Sequence, residues 1–268
     1  IINPSSKVIH VDTDPWEIGK NQSTDIGILA DIKAALAELN RAVEDKMTGD
    51  DKADARERSA RIADSNRRRR EVIWERAHGR RDSDPMPDSR LMMELKEAIP
   101  RDTVIVDGGI TASMALRDLI DFGDAESYLA VRDNDGSLGD ALPMAMGVKL
   151  AWPDRPVVGV VGDGNAMYSI QGLWTAAHHQ IPVVWVICNN ATYRILKVNT
   201  MRVLGPEARE KLHSVDLGGP ALNFAKIAES LGVDGVQVTK GEDVRPAIER
   251  ALALGKPALV DAVIDGAF

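Results

Sequence analysis

Residues 157–190 read VVGVVGDGNAMYSIQGLWTAAHHQIPVVWVICNN. Two runs of valine and isoleucine, at 157–161 and 183–187, enclose a stretch long enough for a helix. Strands of nearly unbroken β-branched residues are buried on both faces, as in a parallel sheet covered by helices on each side. Parallel neighbours need a crossover, and Ala166, Met167, Ile170, Leu173, Trp174 and Ala177 recur at helical spacing, which predicts a helix near 166–179 packed on the sheet. In a right-handed βαβ unit both strands end on the same edge, where open α/β sheets bind ligands. Asp163 follows the first strand and Asn190 the second, so these two side chains can meet although far apart in sequence.

The alternation continues on either side. A helix over 89–98 with Asp88 as its N-cap leads into TVIVD (103–107), which Gly108 and Gly109 close; downstream come helices near 223–231 and 243–254 and strands at 236–238 and 258–264. The fold class is therefore α/β, a doubly wound parallel sheet occupying 89–268. Upstream, 1–44 reads as a strand at 8–11 followed by a helix carrying Ile32, Leu36 and Leu39. Residues 45–88 are charge-dense and poor in apolar side chains, which predicts a surface linker with helical pieces. The four arginines at 67–70 stand among acidic neighbours and read as a solvated helix face rather than a nucleic-acid site.

Composition narrows the classes of function. The 268 residues carry 44% hydrophobic and 28% charged side chains, an ordinary balance for one or two globular domains. A formal net charge of -8 argues against a general nucleic-acid partner or an anionic membrane surface. No apolar run approaches the roughly 18 residues of a membrane span. A single cysteine, Cys188, excludes an intramolecular disulfide and fits a reducing compartment, so a cytoplasmic location is expected. The opening IINPSSKVIHVDTDP has neither an initiator methionine nor a signal-peptide pattern, and the chain is expected to be the C-terminal part of a longer polypeptide.

A glycine-rich turn before a helix ordinarily receives phosphate on free N–H groups. The dinucleotide fingerprint GxGxxG fails here, because Met167 stands in place of the third glycine. Asp163 would also repel a pyrophosphate, unless a divalent cation lies between them. The Asp163 carboxylate, the Asn190 amide oxygen and phosphate oxygens are the hard donors that Mg²⁺ prefers. Each half alone reads as a plain βα turn with a capping aspartate or a strand-ending NN turn. Both halves on successive parallel strands favour a Mg²⁺–diphosphate site.

GDG followed at this spacing by NN resembles the thiamine-diphosphate signature, and residues 162–197 are similar to the superfamily of benzoylformate decarboxylase and acetolactate synthase, nearer the former. By this resemblance 1–44 is the end of a central α/β domain and 89–268 the whole diphosphate-binding domain. The resemblance implies metal ligation by Asp163, Asn190 and the backbone carbonyl of Thr192. It implies cofactor contacts from Gly162, Asp163, Gly164, Asn165 and Asn190. The loop at 133–147 is similar to the family's GxLGxALPxAxG. There Leu138 would wedge the cofactor into its bent form and the Gly136 carbonyl would accept from the aminopyrimidine, although Leu138 and Leu142 equally suit a core. Residues 107–113 match the loop that touches diphosphate through Ile110 and Thr111, departing from the family at Gly108 and Gly109.

The implied activity is decarboxylation of a 2-keto acid, with an acetolactate-synthase-like carboligase and a non-catalytic cofactor-binding homologue as the alternatives. Tyr193, Ile195 and Leu196 match positions facing the substrate, and packing on the sheet is the other reading of them. The family's activating glutamate belongs to an N-terminal pyrimidine-binding domain, supplied by the same protein or by a separate subunit, so no catalytic residue is assigned in this chain. A homodimer or homotetramer is implied by the resemblance alone.

Overall fold

The computed structural model describes residues 2–3, 5–130, 137–212 and 214–267. The chain divides into two units, Ile1–Arg68 and Arg69–Phe268. In the first, β1 (Ile9–Asp12) and β2 (Ile26–Leu29) pair in parallel, Ile9 opposite Ile26. Helix α1 (Ile32–Lys46) follows, capped by Asp31, whose carboxylate accepts from Ala34 N at 2.8 Å. The spacing of Ile32, Leu36 and Leu39 is helical as expected, and each is about half exposed. β2, only four residues long, was not anticipated.

Helix α2 (Gly49–Gly79) is a single 31-residue helix rather than helical pieces, and the division between the units falls within it. Asp50 and Asp51 in its first turn complement the helix dipole. The four arginines at 67–70 are ion-paired: Arg67 and Arg68 with Asp64, Arg69 with Asp118 and Arg70 with Asp121.

The second unit is built on six parallel strands. They are β3 (Val104–Gly108), β4 (Tyr128–Ala130), β5 (Val157–Gly162), β6 (Val184–Asn189), β7 (Asp234–Val238) and β8 (Ala258–Val263), in the order β4-β3-β5-β6-β8-β7. Every residue of β3, β5 and β6 is buried, which explains their largely apolar character, with Asp107 and Asn189 as the polar exceptions. Alternate side chains serve two cores. Ile105, Val158, Val160 and Val186 face α3 (Asp88–Ala98), α4 (Ala112–Leu119) and α10 (Gly241–Ala253). Val104, Val106, Val161 and Trp185 face α5 (Ala141–Ala151), the crossover after β5, and α9 (Phe224–Ser230). Gly159 lies opposite Trp185 in the register, and a Cβ there would come within 2.7 Å of the indole, so the largest core side chain requires the glycine.

Two expectations are corrected. The crossover is not one helix over 166–179 but a single turn, α6 (Asp163–Ala166), then turns, then α7 (Gly172–His179). Leu173 and Ala176 are buried, whereas Met167 and Trp174 are 41% and 56% exposed. The apolar stripe is narrower than the spacing implied, and Trp174 stacks on His178 at 4.8 Å, outside the core. Asp88 is not the N-cap of α3: that position is Pro87, and Asp88 is the first helical residue. Its carboxylate accepts from Ser89 N at 2.8 Å and from Arg194, the opening residue of α8 (Arg194–Leu204), at 2.5 Å.

The chain leaves β3 toward β4 on one side and resumes at β5 on the other. The loops after β3 and β5 diverge there, opening a crevice at the carboxyl edge.

Candidate functional site

A cleft of about 280 Å³ lies at this switch point, lined by the ends of β3, β5 and β6. It gathers Ile110, Thr111, Leu138, Gly162, Asp163, Gly164, Asn165, Asn190, Thr192, Tyr193, Ile195 and Leu196. Gly136 lies outside the described residues. Gly109, Tyr168, Arg194 and Ser214 also line the cleft and were not anticipated.

Asp163 opens α6 and is 4% exposed. Its Oδ1 accepts from Gly164 N at 2.7 Å, while its Oδ2 is buried without a hydrogen-bond partner. Burial pushes the carboxyl up to about 6, and the amides of Gly164, Ala191, Thr192 and Asn190 offset part of that rise. The last three turn toward the carboxyl without giving Oδ2 a bond of hydrogen-bond geometry. A buried carboxylate oxygen left in this condition is costly on its own and suited to a cation.

The NN pair divides its labour. Asn189 ends β6 and points into the protein, donating to Asp261 Oδ1 at 2.9 Å. Asp261 is fully buried, and its Oδ2 accepts from Phe224 N at 3.0 Å and from Gln237 Nε2 at 2.7 Å. Asn190 is half-buried at the cleft, and its Oδ1 accepts from Thr192 N at 3.0 Å. The Thr192 carbonyl accepts from Arg194 N at 2.9 Å around Tyr193, whose φ -75 and ψ 63 form an inverse γ-turn. Each of these oxygens keeps a second lone pair.

Asn165 is 5% exposed and spans two loops: Nδ2 donates to the Gly108 carbonyl at 2.8 Å and Oδ1 accepts from Gly139 N at 2.5 Å. Asp107, fully buried at the end of β3, shapes the loop that follows. Its Oδ1 accepts from Gly109 N at 2.9 Å and Ser113 Oγ at 2.7 Å, its Oδ2 from the Tyr128 hydroxyl at 2.7 Å. Sequence reasoning missed Asp107 and Asp261; an aspartate inside a valine-rich strand is the signal that would have found both.

Backbone strain collects here as well. Ile110, Ala191 and Ser214 have φ of 56, 53 and 59, a left-handed conformation costly for residues with a side chain. Ile110 and Ser214 line the cleft, and Ala191 sits between two residues that do. Gly164 is required for a different reason, since a Cβ there would collide with the Tyr193 ring. Leu138 is 42% exposed, which removes the core reading for it, whereas Leu142 is fully buried. Tyr193, Ile195 and Leu196 line the cleft rather than packing on the sheet, Leu196 being 49% exposed. Cys188 is buried behind it, its thiol pushed up by burial and then by Asp107, Asp88 and Asp163, so it offers no thiolate.

A parallel sheet with a carboxylate and an amide at adjoining strand ends, over a crevice at its carboxyl edge, places the protein among the open-sheet α/β proteins that bind ligands at a switch point. The chain belongs to the thiamine pyrophosphate enzyme family: residues 109–262 match the C-terminal TPP binding domain. It is 36% identical over 171 residues to a putative acetolactate synthase large subunit of Mycobacterium tuberculosis, covering 62% of this chain and 32% of that one. It is 30% identical over 265 residues to a glyoxylate carboligase of Escherichia coli O157:H7, covering 97% and 43%. Its fold is similar to that of a thiamine diphosphate-dependent 4-hydroxybenzoylformate decarboxylase from Rhodococcus jostii RHA1, with a TM-score of 0.74 at 26% identity, covering 98% of this chain and 45% of that one. The chain thus spans less than half the length of these relatives. Both decarboxylases and carboligases stand among them. None of its helices, among the described residues, is long and apolar enough to cross a membrane.

Proposed function

We propose that this chain supplies the diphosphate- and Mg²⁺-binding half of a thiamine-diphosphate site in a 2-keto acid decarboxylase of the benzoylformate type. The buried, unpartnered Oδ2 of Asp163 carries this reading, because a cation beside it offsets the burial that raises its carboxyl. Asp163 would hold the ion with the Asn190 amide oxygen and the Thr192 carbonyl, each of which has a lone pair to spare. Gly162, Gly164 and the second N–H of Asn165 would face the diphosphate, and Ile110 and Thr111 its other side.

Leu138 would support the cofactor from below, and Gly136 belongs to the same proposal. When bound, the cofactor supplies the electron sink for loss of CO₂. The residues of this chain bind and orient. The activating glutamate is assigned to an N-terminal pyrimidine-binding domain, of the same protein or a separate subunit, in a homodimer or homotetramer within the cytoplasm. The apolar side chains of Ile195 and Leu196 beside Tyr193 suit an aromatic or branched 2-keto acid.

A carboligase is the second reading, favoured by similarity to a glyoxylate carboligase over nearly the whole chain. Incubating the intact protein with benzoylformate, pyruvate or glyoxylate separates the two, since both release CO₂: the free aldehyde as product supports the first, and condensation of two molecules to a hydroxy-carbonyl acid or ketone the second. Calorimetric titration of thiamine diphosphate with Mg²⁺ tests the site itself. Asp163→Ala should abolish Mg²⁺-dependent binding, and an unchanged affinity overturns the metal assignment.

A further inference from the structure

Three stretches remote in sequence meet beside the cleft: the approach to α3 at 86–88, the loop at 189–194, and residues 264–266. Backbone bonds tie them first, Asp265 N donating to the Met86 carbonyl at 2.8 Å and Ile264 N to the Asn189 carbonyl at 2.9 Å. Arg194 then crosses all three, with Nη2 on Asp88 Oδ2 at 2.5 Å and Nη1 on the Asp265 carbonyl at 3.2 Å. The Arg194 side chain is 12% exposed and that of Asp88 23%, so this charge-assisted pair is largely shielded from water. Removing one partner would leave the other charge poorly solvated.

On its other flank the same loop is held to 215–217. Tyr193 N donates to the Val215 carbonyl at 2.8 Å, Leu217 N to the Ala191 carbonyl at 2.7 Å, and Thr192 Oγ1 to the Val215 carbonyl at 2.8 Å. Between the two sets of ties sits Ala191 at φ 53. A non-glycine residue holds that conformation only where its surroundings over-determine it. Asp88 does not line the cleft, so its bonded route to a ligand there runs through Arg194 and the loop.

We infer, resting on the metal–diphosphate reading of this corner, that Asp88 and Arg194 are positioning residues whose ion pair pins the loop so that Asn190 and Thr192 present their oxygens beside Asp163. The pair acts as the outer support of a metal site, where such partners govern affinity about 10- to 100-fold. Mn²⁺ serves as a paramagnetic substitute for Mg²⁺ in the test. The intact protein, with thiamine diphosphate present, is titrated with Mn²⁺ and followed by electron paramagnetic resonance.

Asp88→Asn and Arg194→Gln should each weaken Mn²⁺ binding about tenfold, the double variant should be no worse than either, and Asp88→Glu should restore most of the loss. If Arg194→Gln fails to fold, Arg194→Lys replaces it, keeping the charge near Asp88 while losing the bond to Asp265, with an intermediate loss expected. An unchanged Mn²⁺ affinity in Asp88→Asn, or losses that multiply in the double variant, overturns the inference. Asp163→Ala is titrated alongside: if it binds Mn²⁺ as the unaltered protein does, the metal reading is at fault and the inference falls with it.

Discussion

Replacing Asp163 by asparagine should strengthen the metal-free protein and cripple its site. The carboxyl is pushed from the usual 3.8 to about 6, burial being the largest cause. In the unfolded chain it returns to the ordinary value, so between about pH 4 and pH 6 the folded protein holds a proton that the unfolded one has lost. Stability contributed by this group is therefore present at low pH and is lost as the pH rises through 6. At about 1.4 kcal/mol for each pH unit in that interval, the ionised, metal-free carboxylate costs about 3 kcal/mol at pH 8. Asparagine has nearly the same shape, carries no charge, and its amide oxygen can still accept from Gly164 N as Oδ1 does at 2.7 Å.

With a chelator present, Asp163→Asn should be about 2–3 kcal/mol more stable at pH 8, the gain shrinking through pH 6 and vanishing near pH 4. Urea unfolding followed by near-UV circular dichroism, to which the fully buried Trp185 contributes, measures it. Equal stability of the two proteins at pH 8, or a gain that does not change with pH, would refute the account of this carboxyl.

The two neighbouring asparagines should separate stability from binding. Asn189→Ala strips Asp261 Oδ1 of its donor and should cost about 1–3 kcal/mol in the same unfolding assay, with Asn190→Ala nearly neutral there but weaker in Mg²⁺-dependent cofactor titrations. Gly164→Ala drives a methyl into the Tyr193 ring and should destabilise by about 1–3 kcal/mol, or displace the ring and alter the near-UV spectrum. Leu138→Ala removes a side chain already 42% exposed, so it should cost less than about 1 kcal/mol of stability. It should leave the cofactor bound while slowing deuterium exchange at thiazolium C2, and an unchanged exchange rate removes Leu138 from the supporting role.

The sheet was legible because β3, β5 and β6 are buried on both faces, so their sequences are apolar apart from Asp107 and Asn189 near the strand ends. β4 has only three residues, and β2 is four residues with a glycine inside it, which weakens the strand signal. Helix α8 was missed although Ile195, Val198 and Met201 recur at helical spacing: none of its residues is buried, and Ile195 and Leu196 were read as cleft residues instead. The crossover misled for a related reason: Trp174 is apolar at a helical position, yet it stacks on His178 at the surface. At the site, Asp163 and Asn190 were visible because their chemistry is local to two strand ends. Ser214 reaches the cleft because the adjoining loop at 215–217 bonds to residues 191–193, and Arg194 is held by Asp88, 106 positions away, so no short window records either. Asp88 illustrates the limit directly. By position it looks like a helix cap, and only the fold shows that a distant guanidinium has claimed its carboxylate.

Asn165 has a further consequence. Its amide is already engaged at both ends, to the Gly108 carbonyl and the Gly139 amide, with Ser169 Oγ bonded to the carbonyl of the same Gly139. The floor of the crevice is thus set before any guest arrives, and docking there demands little reorganisation of the host. Encounter should be governed by diffusion and electrostatic attraction more than by waiting for a rare open form, and the heat released should come mainly from new contacts.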